Sequence, residues 1–391
     1  MKKFLAILLL GLLFLCGCRG ETAVLAPSVT ETIPEPTHLL TQPIVEPTLP
    51  EVTEPEPTQS PAEQLLESLS QEEKVGQLFL ARCPDINAVS DVETYHLGGY
   101  VLFDRDFDDA SPEQVKQTIT QYQKAASVPM LIAVDEEGGG VTRVSCYSQF
   151  RSSRFYSPRY LYEQGGLELI AETEKEKCEL LKSLGINVNL APVCDITTNP
   201  DSFMYSRSLG QDPETTSQFV ENIVGVMAQY QIGSVLKHFP GYGNNTDTHT
   251  ASALDDRLLS QLEGEDLIPF AGGIEAGCGA VMVSHTVVSC LDEENPASLS
   301  LEVHQYLREE MGFAGVIMTD DLVMAAISQG YSAGEAAVLA VLAGNDLLCS
   351  SEYPVQYQAV LEAVQSGRIP EEQLNASVLR VLQWKENLGL I

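Results

Sequence analysis

Positive charge is scarce in this chain of 391 residues: 22 Lys and Arg stand against 55 Asp and Glu, a formal net charge of −33. A surface of that sign repels nucleic acid and anionic lipid, and no basic patch offsets it. Long apolar runs are missing as well. The stretch Phe4–Leu15 is apolar with one glycine, too short to cross a bilayer as a helix of about 20 residues. No C-x-x-C occurs. The seven cysteines beyond the leader, Cys83, Cys146, Cys178, Cys194, Cys278, Cys290 and Cys349, are odd in number and irregularly spaced. That argues against a disulfide framework or a zinc site and for small apolar packing residues, with Cys83 and Cys146 as the one candidate bridge. No G-x-G-x-x-G follows the first strand-like run, so a dinucleotide-binding fold has little support.

What is present falls into three stretches. Lys2 and Lys3 precede the apolar run, and Leu15-Cys16-Gly17-Cys18 resembles a lipobox. Residues 1–17 are therefore expected to be a signal peptide, with Cys18 lipidated. Residues 18–62 are expected to form a tether: nine of the 21 prolines and seven glutamates lie between 19 and 62, without hydrophobic periodicity. Proline removes backbone donors and favours extended chain, and Glu repels Glu. At ~3.1 Å per residue such a tether reaches on the order of 100 Å. The expected location is extracytoplasmic, with membrane contact through the lipid alone.

From about residue 63 short apolar runs alternate with longer amphipathic ones. The runs Gly76–Ala81, Gly99–Phe103, Met130–Val134, Val188–Ala191, Ser234–Leu236, Ala280–Val283, Gly315–Met318 and Asp346–Cys349 suit strands buried on both faces. Helices are predicted over 111–126, 167–184, 214–230, 260–276, 300–311 and 333–343. Ser111-Pro112 is suited to an N-cap and first turn, and Gly185 to a C-cap. Eight strands alternating with helices predict an α/β fold, a (β/α)8 TIM barrel in a single catalytic domain over 63–391. Polar residues fall at the C-terminal ends of different strands: Asp135, Asp195, Lys237-His238, Ser284-His285 and Asp320-Asp321. A barrel brings those ends to one face.

Lys237-His238-Phe239-Pro240-Gly241-Tyr242-Gly243 sets a basic pair before a tight loop. Asp247-Thr248-His249 follows. Residues two apart on a turning loop can share a side, so Asp247 can fix the His249 tautomer and leave one ring nitrogen free for acid/base work near neutral pH. Such a triplet also arises by chance. Asp320 should emerge at the barrel mouth, whereas Asp321 suits a helix N-cap. In Asp135-Glu136-Glu137-Gly138-Gly139 an acid can accept from sugar hydroxyls and the glycines permit close approach. Arg143 and Arg207 are forked donors, a residue type that more often serves surface salt bridges.

Together with Arg207-Ser208-Leu209-Gly210, Thr319-Asp320-Asp321-Leu322, Ser284-His285 and Pro296–Ser300, these motifs resemble, in order and spacing, glycoside hydrolase family 3 across roughly 63–391. The K-H-F-P-G stretch with a downstream D-x-H resembles its single-domain β-N-acetylglucosaminidase branch. The resemblance implies a retaining exo-β-N-acetylglucosaminidase acting on terminal β-linked N-acetylglucosamine of peptidoglycan fragments or chito-oligosaccharides. Asp320 would be the nucleophile, and His249 with Asp247 the acid/base. Asp135, Arg143, Arg207, Lys237 and His238 would bind the terminal amino sugar. No metal, nucleotide or organic cofactor and no nucleic-acid partner is implied, and a monomer is expected.

Two departures stand out. Gly140 occupies a place where the family often has Arg, and Tyr242 one where it often has His; the latter is expected to alter leaving-group-site preference. The rivals are a β-N-acetylglucosaminide phosphorylase, a β-glucosidase or β-xylosidase, a metallohydrolase using His238, His249, His285 and Asp320, and a non-catalytic wall-binding lipoprotein.

Overall fold

The computed structural model describes residues 59–391 apart from Asn244 and Thr246. The expected signal peptide, the lipidation site Cys18 and nearly all of the expected tether lie outside them. Ten strands are present among the described residues: β1 Phe79–Arg82, β2 Gly99–Leu102, β3 Leu131–Val134, β4 Val188–Asn189, β5 Gly233–Phe239, β6 Ala253–Asp255, β7 Ala280–Val283, β8 Thr286–Val288, β9 Val316–Thr319 and β10 Leu348–Ser350. Eight of them form one parallel sheet in the order β10-β1-β2-β3-β4-β5-β7-β9. A parallel bridge between Met318 and Leu347 joins the two ends. The predicted barrel is therefore present. β6 and β8 make a separate parallel pair.

The helices are α1 Pro61–Ser68, α2 Gln71–Gln77, α3 Ala88–Tyr95, α4 Pro112–Ala125, α5 Pro158–Leu184, α6 Pro213–Gln229, α7 Leu259–Gly264, α8 Leu267–Glu275, α9 Leu301–Gln305, α10 Ala325–Ser328, α11 Ala333–Ala343, α12 Tyr353–Gln365 and α13 Glu371–Asn387. Ser111 caps α4 in a reciprocal capping box with Gln114, and Gly185 ends α5 in the left-handed conformation, both as the local chemistry dictates.

The differences from expectation have local causes. The first strand begins at Phe79 because a second capping box, Ser70 with Glu73, carries helix through Gly76-Gln77. A side chain at Gly76 would meet the carbonyl oxygens of Tyr95 and His96 at 2.2 and 2.4 Å. Helix α5 starts at Pro158, not 167, because Ser157 caps it; its ladder breaks at Gly165-Gly166, just before the periodic stretch begins. The predicted helix over 260–276 is two helices, broken at Glu265 (φ −134°, ψ −84°). Cys83 and Cys146 are both free thiols, which overturns the candidate bridge. Cys83 is buried against the Tyr122 hydroxyl at 3.4 Å, and Cys146 turns to the carbonyl of Arg143.

The core has two shells. Leu80, Val101, Leu131, Ala133, Val235, Ala280, Met282, Val316 and Met318 fill the barrel. Their neighbours in sequence, such as Phe79, Tyr100, Ile132, Val281 and Ile317, face the helices. This two-residue alternation is the strand period. Val381 and Trp384 of α13 close the lower end.

Candidate active site

The alternation continues past the strand ends and selects the residues of the mouth. Two positions beyond the inward residues Leu80, Val101, Ala133, Val235 and Met318 stand Arg82, Phe103, Asp135, Lys237 and Asp320. All five line one cavity of about 660 Å³, with Arg143, Arg207, His238, His249 and Asp321. His238, out of phase with Lys237, also faces it because the register of β5 shifts between Leu236 and Phe239.

One wall is a buried network of alternating charge. Lys237 Nζ lies 2.6 Å from Asp135 Oδ1 and 2.7 Å from Glu137 Oε1. Arg207 grips Glu137 with two nitrogens, at 2.7 and 3.0 Å. Burial by itself raises the Glu137 pKa; Lys237 and then Arg207 outweigh it and hold the carboxyl well below its usual range. Burial likewise opposes charge on Lys237, but Asp135 and Glu137 keep its pKa above normal. Pairing on both sides offsets the desolvation of four charges.

Glu136 points away from the cavity. It is fully buried and accepts the backbone N–H groups of Arg143 and Val144, each at 2.8 Å, and the hydroxyl of Ser145. It thereby fixes the segment that presents Arg143. Arg143 lies 5.7 Å above the Phe103 ring and 3.6 Å from Asp104, and its buried Nε has no hydrogen-bond partner among the described residues. The turn itself needs Gly138 (φ +109°), where a Cβ would strike the carbonyl of Tyr156 at 2.3 Å. Around Gly140, by contrast, a Cβ meets nothing within 4 Å.

Two histidines are oriented by aspartates. His238 Nδ1 lies 2.8 Å from Asp195 Oδ2. A carboxylate only accepts, so Nδ1 carries the proton, and Nε2 faces Arg207 Nη2 at 3.3 Å. His249 Nδ1 lies 2.7 Å from Asp247 Oδ1. Its Nε2 has no hydrogen-bond partner among the described residues. Thr248 between them is buried while Asp247 and His249 are not, so the triplet does present its outer members together.

Asp320 is half-buried and lines the same cavity. Its Oδ1 accepts the N–H of Asp321 at 2.8 Å; its Oδ2 has no such partner among the described residues. Burial raises its pKa, but His238, His285, the Asp321 N–H and His249 together hold it below the ordinary aspartate value. His285 is buried, which lowers its pKa. Its Nε2–H donates to the Asp321 carbonyl at 3.0 Å, and Nδ1 takes the Ser298 hydroxyl at 2.7 Å. With both nitrogens engaged, His285 is no free metal ligand.

Asp321 is not a helix N-cap, because α10 starts only at Ala325. Its carboxylate instead accepts from Val323 N and Ser351 N, each at 3.2 Å, tying the end of β9 to β10. Tyr242 is buried, packed on Phe203 and His238 with ring centroids 4.9 and 5.2 Å apart. It does not line the cavity, so direct contact with a leaving-group site is ruled out by packing.

Residues 70–384 match the family model described as glycosyl hydrolase family 3 N terminal domain. The chain belongs to glycosyl hydrolase family 3. It is 33% identical over 296 residues to a beta-hexosaminidase of Xanthomonas campestris pv. campestris, covering 75% of this chain and 87% of that protein. It is 31% identical over 332 residues to the beta-hexosaminidase LpqI of Mycobacterium tuberculosis, covering 81% and 83%. A solved structure of a glycoside hydrolase family 3 beta-N-acetylglucosaminidase from Paenibacillus sp. str. FPU-7 matches with a TM-score of 0.77 at 35% identity. It aligns with 83% of this chain, which spans 63% of that longer one. As a family 3 chain, the protein is a glycoside hydrolase on a TIM barrel.

The motifs had marked every residue proposed for the site, and all but Asp247 line the same cavity. Sequence reasoning gave no role to Glu137, Glu136 or Asp195, nor to Arg82 and Phe103. The two-residue phase of β1 and β2 was the available signal for the last pair.

Proposed function

We propose that this protein is a retaining exo-β-N-acetylglucosaminidase whose nucleophile is Asp320 and whose acid/base is His249 held by Asp247. One observation carries the reading. A carboxylate held below its ordinary pKa, with one oxygen unbonded among the described residues, and an imidazole oriented by a carboxylate, with its Nε2 unbonded among them, line the same cavity. Oδ2 of Asp320 attacks the anomeric carbon, the bond to the leaving oxygen breaks, and His249 Nε2 gives that oxygen its proton. Water then attacks the anomeric carbon, passing a proton to Nε2, and the bond to Asp320 breaks. Two inversions retain configuration. Imidazole suits a group that must donate and then accept near neutral pH.

Asp135, Lys237, His238, Arg207 and Arg143 hold the terminal sugar by hydroxyls and N-acetyl group in this reading. The names of the relatives support N-acetylglucosamine as that sugar. The test is turnover of an aryl β-N-acetylglucosaminide by wild type and Asp320→Ala, with the product anomer followed by NMR, with and without phosphate. The β-anomer formed first by wild type, and its loss in the variant, is the expected result; a glycosyl phosphate product would instead make the enzyme a phosphorylase.

We infer from the leader that the barrel is lipid-anchored through Cys18 on a tether over 18–62 and works outside the cytoplasm on peptidoglycan fragments. Incorporation of labelled palmitate that disappears in Cys18→Ser is the expected outcome.

A further inference from the structure

We propose that Tyr242 is a positioning residue: its hydroxyl latches Thr248 and so holds the Asp247–His249 loop over Asp320. The role rests on the reading of His249 as the acid/base.

His249 lines the cavity and the functional pair is solvated; the His249 side chain is 59% exposed and that of Asp247 35%. An exposed pair hydrogen-bonded within itself does not anchor its own backbone. The anchor is the residue between them. Thr248 is fully buried, and its Oγ1 lies 2.6 Å from the Tyr242 hydroxyl. Its carbonyl also accepts Ala326 N–H at 3.3 Å, from the helix that follows Asp320. The loop is thus fastened on one side to the end of β5 and on the other to the segment carrying the nucleophile.

Tyr242 is itself fixed. Its N–H donates to Asp195 Oδ1 at 2.8 Å, the same carboxylate that orients His238. Its ring is packed edge-on against Phe203. Burial, then the charge of Asp320, push its pKa above the usual phenol range, so the hydroxyl keeps its proton. One buried carboxylate therefore sets the His238 ring directly and, through Tyr242 and Thr248, the place from which His249 delivers a proton. Imidazole is shorter than phenol, so a His at 242 falls short of Thr248 in this loop position.

A displaced acid costs most where the leaving oxygen needs its proton. The test is a series of β-N-acetylglucosaminides with leaving groups from dinitrophenol to methanol, hydrolysed by wild type, Tyr242→Phe, Thr248→Val and the double variant. Tyr242→Phe should lose roughly 10-fold or more in kcat/KM on the methyl glycoside and less than about twofold on the dinitrophenyl one. Thr248→Val, nearly isosteric, should lose as much, and the double variant no more than either single. Amide hydrogen exchange over 247–250 should quicken in all three variants. Losses equal across leaving groups, additive losses, or unchanged exchange would overturn the latch. A wild type inert toward the whole series would instead overturn the hydrolase reading, and exchange alone would then decide the latch.

Discussion

Asp195–His238 and Asp247–His249 are built from the same parts. In each an aspartate oxygen takes the imidazole Nδ1, at 2.8 and 2.7 Å, and the same oxygen takes the histidine's own backbone N–H at 3.0 Å. Their surroundings differ. Asp195 and His238 are enclosed between β4 and β5, and Asp195 accepts a third bond from Tyr242. Asp247 and His249 stand on a loop in contact with water. The enclosed ring has a fixed tautomer, and its second nitrogen faces Arg207. The open ring can exchange its Nε2 proton with water, as a group that first donates and then accepts must. Burial, not pairing, separates the two pairs.

Breaking the open pair should have the largest effect. His249→Ala is expected to lower turnover of alkyl glycosides by ~10³-fold while changing stability by less than about 0.5 kcal/mol; kinetics and urea denaturation check both halves. Breaking the enclosed pair should reverse the pattern. Asp195→Ala leaves three donors unpaired in the interior and should cost on the order of 3 kcal/mol of stability. A variant with wild-type denaturation would dissolve the contrast.

A smaller effect concerns pH. Asp320 is held below the ordinary aspartate value, so it stays ionised as pH falls to that value. Measured with the dinitrophenyl substrate, which needs no acid, the acid limb of kcat/KM should lie below about pH 4. A limb centred above pH 5 would contradict the electrostatics.

The effect farthest from the two pairs lies at the opposite end of the barrel, where Lys385 of α13 is fully buried with a neutral partner, Gln77 Oε1 at 2.6 Å. Burial brings its pKa down to about 7. Between there and about 10.4, the value for free lysine, the unfolded chain holds a proton that the folded one lacks. Stability should therefore climb with pH across that window, by on the order of 1 kcal/mol per unit, and the penalty is complete below it. Lys385→Met should remove the climb, as urea denaturation at pH 7.5 and 9.5 would show. An equal climb in the variant would mean that Lys385 is hydrated when folded.

Much of this was legible in the residues. Short runs such as Leu131–Val134 and Ala280–Val283 suit strands buried on both faces, because every residue in them is apolar. The motifs marked Asp320, Lys237, His238 and the D-x-H triplet because their spacing is family chemistry. Less legible were the boundaries set by capping, as at Gly76 and Ser157, and the split of 260–276, where hydrophobic periodicity runs straight through a break.

By itself the sequence determined the eight strands of the barrel but not the β6–β8 pair, the alternation that points Asp135, Lys237 and Asp320 inward, and the set of groups able to do chemistry. Those are consequences of local period and residue type. Only the tertiary structure decided which carboxylates would be spent on scaffolding. Glu136, Glu137, Asp195 and Asp321 look like candidates on paper, yet Glu136 is consumed by the backbone donors of the following turn and the other three by backbone donors or cations from distant segments. It also decided that Tyr242 faces Thr248 rather than the ligand. The physical reason is that a side chain's hydrogen-bond partners are set by packing across the barrel, which no stretch of neighbouring residues encodes.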